Sequence, residues 1–138
     1  MLRIFWTVAL VMAALPAVAE NFTTAAEVKP ILSATKPNWI AVRAYDGQDL
    51  LYFTNLLAWR YGVEAVAYGV NGAAPETALP MEPCYAAEAA PNVLKMNTGV
   101  LPFVAQPLDS VQSVTVHVTY DDGSTETVAY QRAAVLMP

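Results

Sequence analysis

Few residues in this sequence carry reactive chemistry. It has one cysteine, Cys84, and one histidine, His117. A thiol acts as a nucleophile only when a base takes its proton, so the two would have to meet through the fold. Cys84 lies between Pro83 and Tyr85, and His117 alternates with valines beside Thr115 and Thr119. Taken singly, Cys84 reads as a free, buried or half-buried thiol and His117 as a solvent-facing strand residue. One residue of each kind excludes a cysteine zinc site, a CxxC redox pair and an HExxH metal helix. No cofactor and no metal is expected. Asp121, Asp122 and Glu126 sit close together in the chain. Paired carboxylates can bind Ca²⁺ or cleave glycosides, but Asp-Asp-Gly is also ordinary turn chemistry. Asp46 and Asp49 read as caps of a following helix. GxGxxG, P-loop and GxSxG patterns are absent after residue 19.

Aromatic residues gather in the first half. Trp39, Tyr45, Tyr52, Trp59, Tyr61 and Tyr68 are interleaved with Arg43 and Arg60. Such groups either fill a core or form a surface for a sugar ring or a partner protein. The alternation in residues 38–45 puts Ile40 and Val42 inward and Trp39, Arg43 and Tyr45 outward. Those three are the candidate binding residues.

These positions need elements to hold them. Residues 20–37, with Pro30 and Pro37, read as an N-terminal tether that has room for one helical turn near 25–32. Residues 38–45 read as a strand. Leu50, Phe53 and Leu57 recur at helical spacing, with Tyr52, Leu56 and Trp59 alongside. This predicts an amphipathic helix over residues 48–61, with Arg60 in its last turn and Gly62 as a left-handed cap. Residues 63–70 alternate and end at Asn71-Gly72, a turn signal. Residues 73–92 contain four prolines and read as an irregular connection with a short edge strand near 78–81. Short strands are expected at 93–96 and 100–105, the second confined to an edge by Pro102. The clearest pattern is a hairpin. Residues 111–120 alternate strictly, residues 121–124 turn on Gly123, and residues 125–131 return. Residues 133–137 form an apolar tail expected to dock on the core.

The chain has 138 residues, 56% of them hydrophobic and 14% charged. That fits one ordered domain rather than two, and excludes disorder as the main state. Seven Lys and Arg against twelve Asp and Glu give a net charge of −5. Nucleic acid and anionic membrane surfaces call for clustered basic residues, so neither is an expected partner. The first nineteen residues read as a cleaved signal peptide. Arg3 supplies the positive end, residues 4–15 the apolar run, and Ala17-Val18-Ala19 the cleavage signature before Glu20. The run is shorter than the roughly 20 residues that span a bilayer, and Pro16 breaks it, so no anchor is expected after cleavage. Export with a single thiol favours the bacterial periplasm or a secreted location over a eukaryotic disulfide-stapled domain.

Six or seven short strands without a βαβ rhythm predict a mainly β protein. The expected form is an antiparallel β-sandwich, immunoglobulin- or fibronectin-III-like in strand count, residues 38–138, with the helix between its first two strands. The alternative is an α+β fold in which the helix packs on a single antiparallel sheet. The functional expectation is an exported, non-enzymatic protein that binds a protein or an envelope component. A carbohydrate-binding module using the first-half aromatics and a small hydrolase with an Asp/Glu pair are the competing readings. A monomer is expected rather than a dimer linked through Cys84.

Overall fold

The structure is a computed structural model and describes residues 9–11 and 21–138. The leader expectation, with its cleavage point at Ala19 and Glu20, falls outside the described residues apart from 9–11. No helix among the described residues is long and apolar enough to cross a membrane.

Seven strands form two antiparallel sheets. Strands β1 (Ala41–Tyr45), β2 (Gln48–Tyr52) and β5 (Phe103–Pro107) make a three-stranded sheet in the order β1-β2-β5. Strands β3 (Val63–Val70), β4 (Thr77–Ala78), β6 (Ser113–Tyr120) and β7 (Thr125–Gln131) make a four-stranded sheet in the order β4-β3-β6-β7. An immunoglobulin constant domain keeps its fourth strand on the sheet of strands one, two and five. Here β4 sits on the opposite sheet, beside β3.

The strict alternation of β6 fixes which face is core. Val114, Val116, Val118 and Tyr120 are buried and their neighbours half-exposed. Val66 and Tyr68 of β3 lie opposite Val118 and Val116 on the same face. From the other sheet, Val42 and Leu51 face each other and join the same cluster. Helix α1 (Ala25–Ala34) completes this core through Ala25, Val28 and Leu32. Thr24 caps it, with the Glu27 N–H donating to Thr24 Oγ1 at 3.3 Å, and Glu27 Oε2 reaches past the cap to accept from the Phe22 N–H at 3.2 Å. The segment expected as a tether therefore carries, within residues 21–37, a helix whose Ala25, Val28 and Leu32 belong to the core.

The helix expected over residues 48–61 does not form. Residues 48–52 are β2, and only one turn, α2 (Thr54–Leu57), and a 3₁₀ turn at Arg60–Gly62 are helical. Asp46 and Gly47, both at positive φ (52° and 74°), close a two-residue β1–β2 hairpin. That is the type I′ geometry whose twist matches paired strands. Leu50 and Leu51 point to opposite faces of β2. The apparent helical spacing was strand residues followed by a short turn. Gly62 is not a left-handed cap. Its role is close approach, since a Cβ there would lie 2.3 Å from Val28 Cγ2 and 2.6 Å from the Thr24 carbonyl oxygen.

Residues 93–96 are not a strand. They belong to the irregular connection between β4 and β5. Of the edge strand expected near 78–81 only Ala78 is strand, in β4, and the strand expected at 100–105 is β5, which begins after Pro102 and runs to Pro107. The hairpin of β6 and β7 forms as the alternation predicts. The apolar tail docks through α3 (Arg132–Val135): Val135 is buried and Met137 N–H donates to the Val42 carbonyl at 2.7 Å.

Candidate functional site

The first strand, the end of β2 and the short helix α2 shape a groove of about 550 Å³. Its base comes from residues 38–41. Trp39 is not on the strand's outward face. It precedes β1 in helical backbone (φ −61°, ψ −38°), so the alternation does not apply to it. Its ring is fully buried and its Nε1–H donates to the Leu32 carbonyl at 2.8 Å. Trp39 is thus the groove's floor and a strut for α1. Tyr52, Thr54, Asn55 and Ala58 form one wall, and Arg43 and Met137 the rim.

Arg43 and Tyr45 do lie outward as expected. The Arg43 guanidinium stacks over the Tyr45 ring at 4.4 Å, and Tyr45 is 54% exposed. Strand pairing puts Ala41, Arg43, Leu50, Tyr52, Phe103 and Ala105 on one outer face. Leu50 is buried there without joining the core cluster. The Tyr52 and Phe103 rings meet at 5.2 Å with planes tilted 51°.

The basic side chains divide sharply. Lys29 donates to Ser124, Lys36 pairs with Glu126, Lys95 with Glu88, and Arg132 with Asp49. Arg60 spends all its donors on backbone carbonyls. Among the described residues, Arg43 is the basic side chain with no hydrogen-bond or ion-pair partner.

Three of the candidate carboxylates, Asp49, Glu126 and Asp122, are committed to structural bonds. Asp49, expected as a helix cap, is fully buried at the core-facing end of β2. Arg132 Nη1 donates to its Oδ2 at 2.6 Å, and the N–H groups of Asp109 and Val111 donate at 3.1 Å each. The Arg132 guanidinium and these N–H groups outweigh burial and hold the Asp49 carboxyl down at about 2. Glu126 accepts from the Tyr120 hydroxyl and from Ser33, and pairs with Lys36. Burial pushes its carboxyl up, but those bonds outweigh it and hold it below the usual range. Asp122 accepts from the Ser124 N–H in the hairpin turn, the role its sequence suggests. Among the described residues no cluster of three His, Cys, Asp or Glu could hold a metal ion.

Cys84 and His117 do not act on each other. His117 Nδ1 is 2.6 Å from Thr127 Oγ1 on the outer face of the four-stranded sheet. Cys84 is a free, half-buried thiol in the long connection. Burial pushes its thiol up, with Arg60 opposing.

That connection, residues 79–102, has a polar centre that the sequence did not reveal. Arg60 is 2% exposed. Its Nε–H donates to the Glu82 carbonyl at 2.7 Å. Its Nη1 donates to the carbonyls of Leu57 at 3.0 Å and Asn92 at 2.6 Å, and its Nη2 to those of Pro83 at 2.7 Å and Val93 at 2.9 Å. All five guanidinium donors are used. The Glu82 side chain accepts from the Tyr85 hydroxyl and from the Lys95 N–H, which hold its carboxyl below the usual range against burial. Arg60 therefore builds the fold and offers nothing to a ligand.

Compared with known proteins, the chain matches no family model, no curated protein and no solved structure.

Proposed function

We propose that this chain is an exported, non-enzymatic β-sandwich of the bacterial periplasm or exterior, and that it binds a protein partner through the groove beside β1. One observation carries the reading. The one basic side chain among the described residues without a hydrogen-bond or ion-pair partner, Arg43, lines this groove of about 550 Å³. A guanidinium left unpaired in an acidic chain suits a partner's carboxylate, bound bidentately. The apolar lining residues Ile40, Ala41, Tyr52 and Met137 suit an apolar side chain next to that carboxylate.

An envelope glycan is the second reading. Sugar stacking calls for an open aromatic face. Trp39 is buried and the Tyr52 and Phe103 rings are tilted against each other, which favours the protein partner. Of the carboxylates a hydrolase could use, Asp49, Asp122 and Glu126 are held by structural bonds, and Asp46 and Asp121 stand in the hairpin turns of different sheets.

The test is photo-crosslinking during export, with a benzophenone amino acid in place of Thr54 in the groove wall and, as control, in place of exposed Glu76. The expected result is a discrete protein adduct from position 54 alone, lost when Arg43→Glu is added. Equal labelling from both positions, or an adduct indifferent to Arg43→Glu, overturns the reading.

A further inference from the structure

Every sheet edge in this fold but one is closed by the chain itself or is poor at pairing. At β1, Met137 N–H donates to the Val42 carbonyl, and Leu136 bridges Val42. Strand β5 carries Pro107, which has no N–H to offer. Strand β4 is two residues long. The exception is β7, seven residues with β6 as its one strand partner.

The parity of β7 is set by its turn. Tyr120 N–H donates to the Ser124 carbonyl, and Arg132 N–H donates to the Gln112 carbonyl. Antiparallel pairing alternates, so Glu126, Val128 and Tyr130 turn their backbone groups toward β6. Thr125, Thr127, Ala129 and Gln131 turn theirs away. Among the described residues, nothing bonds those outward N–H and C=O groups. The strand has no lysine, proline or bulge, and its one inward charge, Glu126, is paired by Lys36.

We propose that β7 is a self-association edge. Two copies pair their β7 strands antiparallel about a twofold axis at Val128, joining two four-stranded sheets into one of eight. The strand's own sequence argues for a second copy over a foreign peptide. About Val128, Thr127 meets Ala129, Thr125 meets Gln131 and Glu126 meets Tyr130. The one ionised residue of the strand never faces itself, and Lys36 already pairs with it. The outer face beside the edge, with Ser113, Thr115, His117, Thr119 and Thr127, carries no carboxylate. Two acidic chains can approach there without like charges opposed. The pairing supplies about eight backbone hydrogen bonds across a small area, so the dimer is concentration-dependent. This goes beyond the groove reading, which uses a different sheet.

The experiment is sedimentation velocity of the exported chain from micromolar to near-millimolar concentration, with thermal melts followed by circular dichroism to confirm folding. The wild type is expected to shift from monomer to dimer. Thr127→Pro is expected to stay monomeric, because it deletes an outward N–H and leaves the β6 ladder intact. Ala129→Pro does the same should the first variant not fold. Register is read separately in a Cys84→Ser background. In this pairing the two Val128 Cα atoms lie about 4.5 Å apart, within disulfide reach. Val128→Cys is expected to form a covalent dimer on mild oxidation, and Glu126→Cys is not. A wild type monomeric throughout, a dimer that survives both prolines, or equal crosslinking of the two cysteine variants overturns the proposal.

Discussion

Replacing Arg60 with methionine keeps an unbranched apolar stem and removes the charge and every donor. Five carbonyls lose their partner. Those of Asn92, Pro83 and Val93 are part-buried and regain water. Those of Glu82 and Leu57 take buried bonds. An orphaned buried acceptor costs about 1–3 kcal/mol. Two of them set the loss at about 4 kcal/mol, softened slightly by the freedom the loop recovers. At this chain length 1 kcal/mol moves Tm by roughly 4 °C, so Arg60→Met should melt about 15 °C below wild type. Lysine keeps the charge but has three donors without the planar fork, so Arg60→Lys should fall between the two. Urea unfolding followed by circular dichroism measures the loss. Limited proteolysis locates it, since cleavage within residues 79–102 should accelerate more than cleavage elsewhere. An Arg60→Met protein within 1 kcal/mol of wild type, with that segment equally protected, would refute the idea that this guanidinium organises the connection.

The core sets two further outcomes. Asp49 ionises at about 2 in the folded chain against the ordinary 3.8. A depressed carboxyl contributes stability above the unfolded pKa and loses it as pH falls through the folded one. The urea-midpoint gap between wild type and Asp49→Asn should be flat from neutral pH to about 4 and close between about 4 and 2; a gap unchanged across that window would contradict the Asp49–Arg132 pairing. Gly62→Ala should cost about 2–3 kcal/mol, because its Cβ meets Val28 and the Thr24 backbone. Gly72→Ala, at φ +84° in open space, should cost about 1 kcal/mol by thermal melt; equal losses would contradict the close-approach account.

What the sequence disclosed runs along a physical line. The β6–β7 hairpin, β3, and the inward Ile40 and Val42 were legible because each alternates against one buried face. Strand β2 was hidden because its outer face is apolar too. Leu50 is covered by neighbours on that face, so Leu50-Leu51 breaks the alternation and leaves a false helical spacing. The signal that could have found it was Asp46-Gly47 between two apolar runs. Helix α1 was signalled by Thr24-x-x-Glu27 and by Ala25, Val28 and Leu32 at helical spacing, obscured by Pro30 within it. Of the candidate site, Arg43 and Tyr45 were placed outward correctly. Trp39 was misplaced because alternation was extended to a residue that precedes the strand. Asp49 with Arg132, and Arg60 with the carbonyls of the connection, join residues far apart in the chain, and no local pattern announces such pairs.

The unequal sheets tie these features together. Three short strands cannot cover a four-stranded face that carries Tyr120, Val128 and Tyr130. The uncovered part is taken by α1, which reaches the hairpin through Lys29 to Ser124 and Ser33 to Glu126. This leaves the inner side of β7 sealed by a helix and its backbone edge free. At the other sheet, the space before β1 is closed below by Trp39 holding α1 through the Leu32 carbonyl, and open above as the groove. One helix thus shapes both surfaces, and they lie on different sheets. Loss of β7 pairing should leave Arg43-dependent crosslinking unchanged, and a coupled loss would point to damage in α1 rather than at either surface.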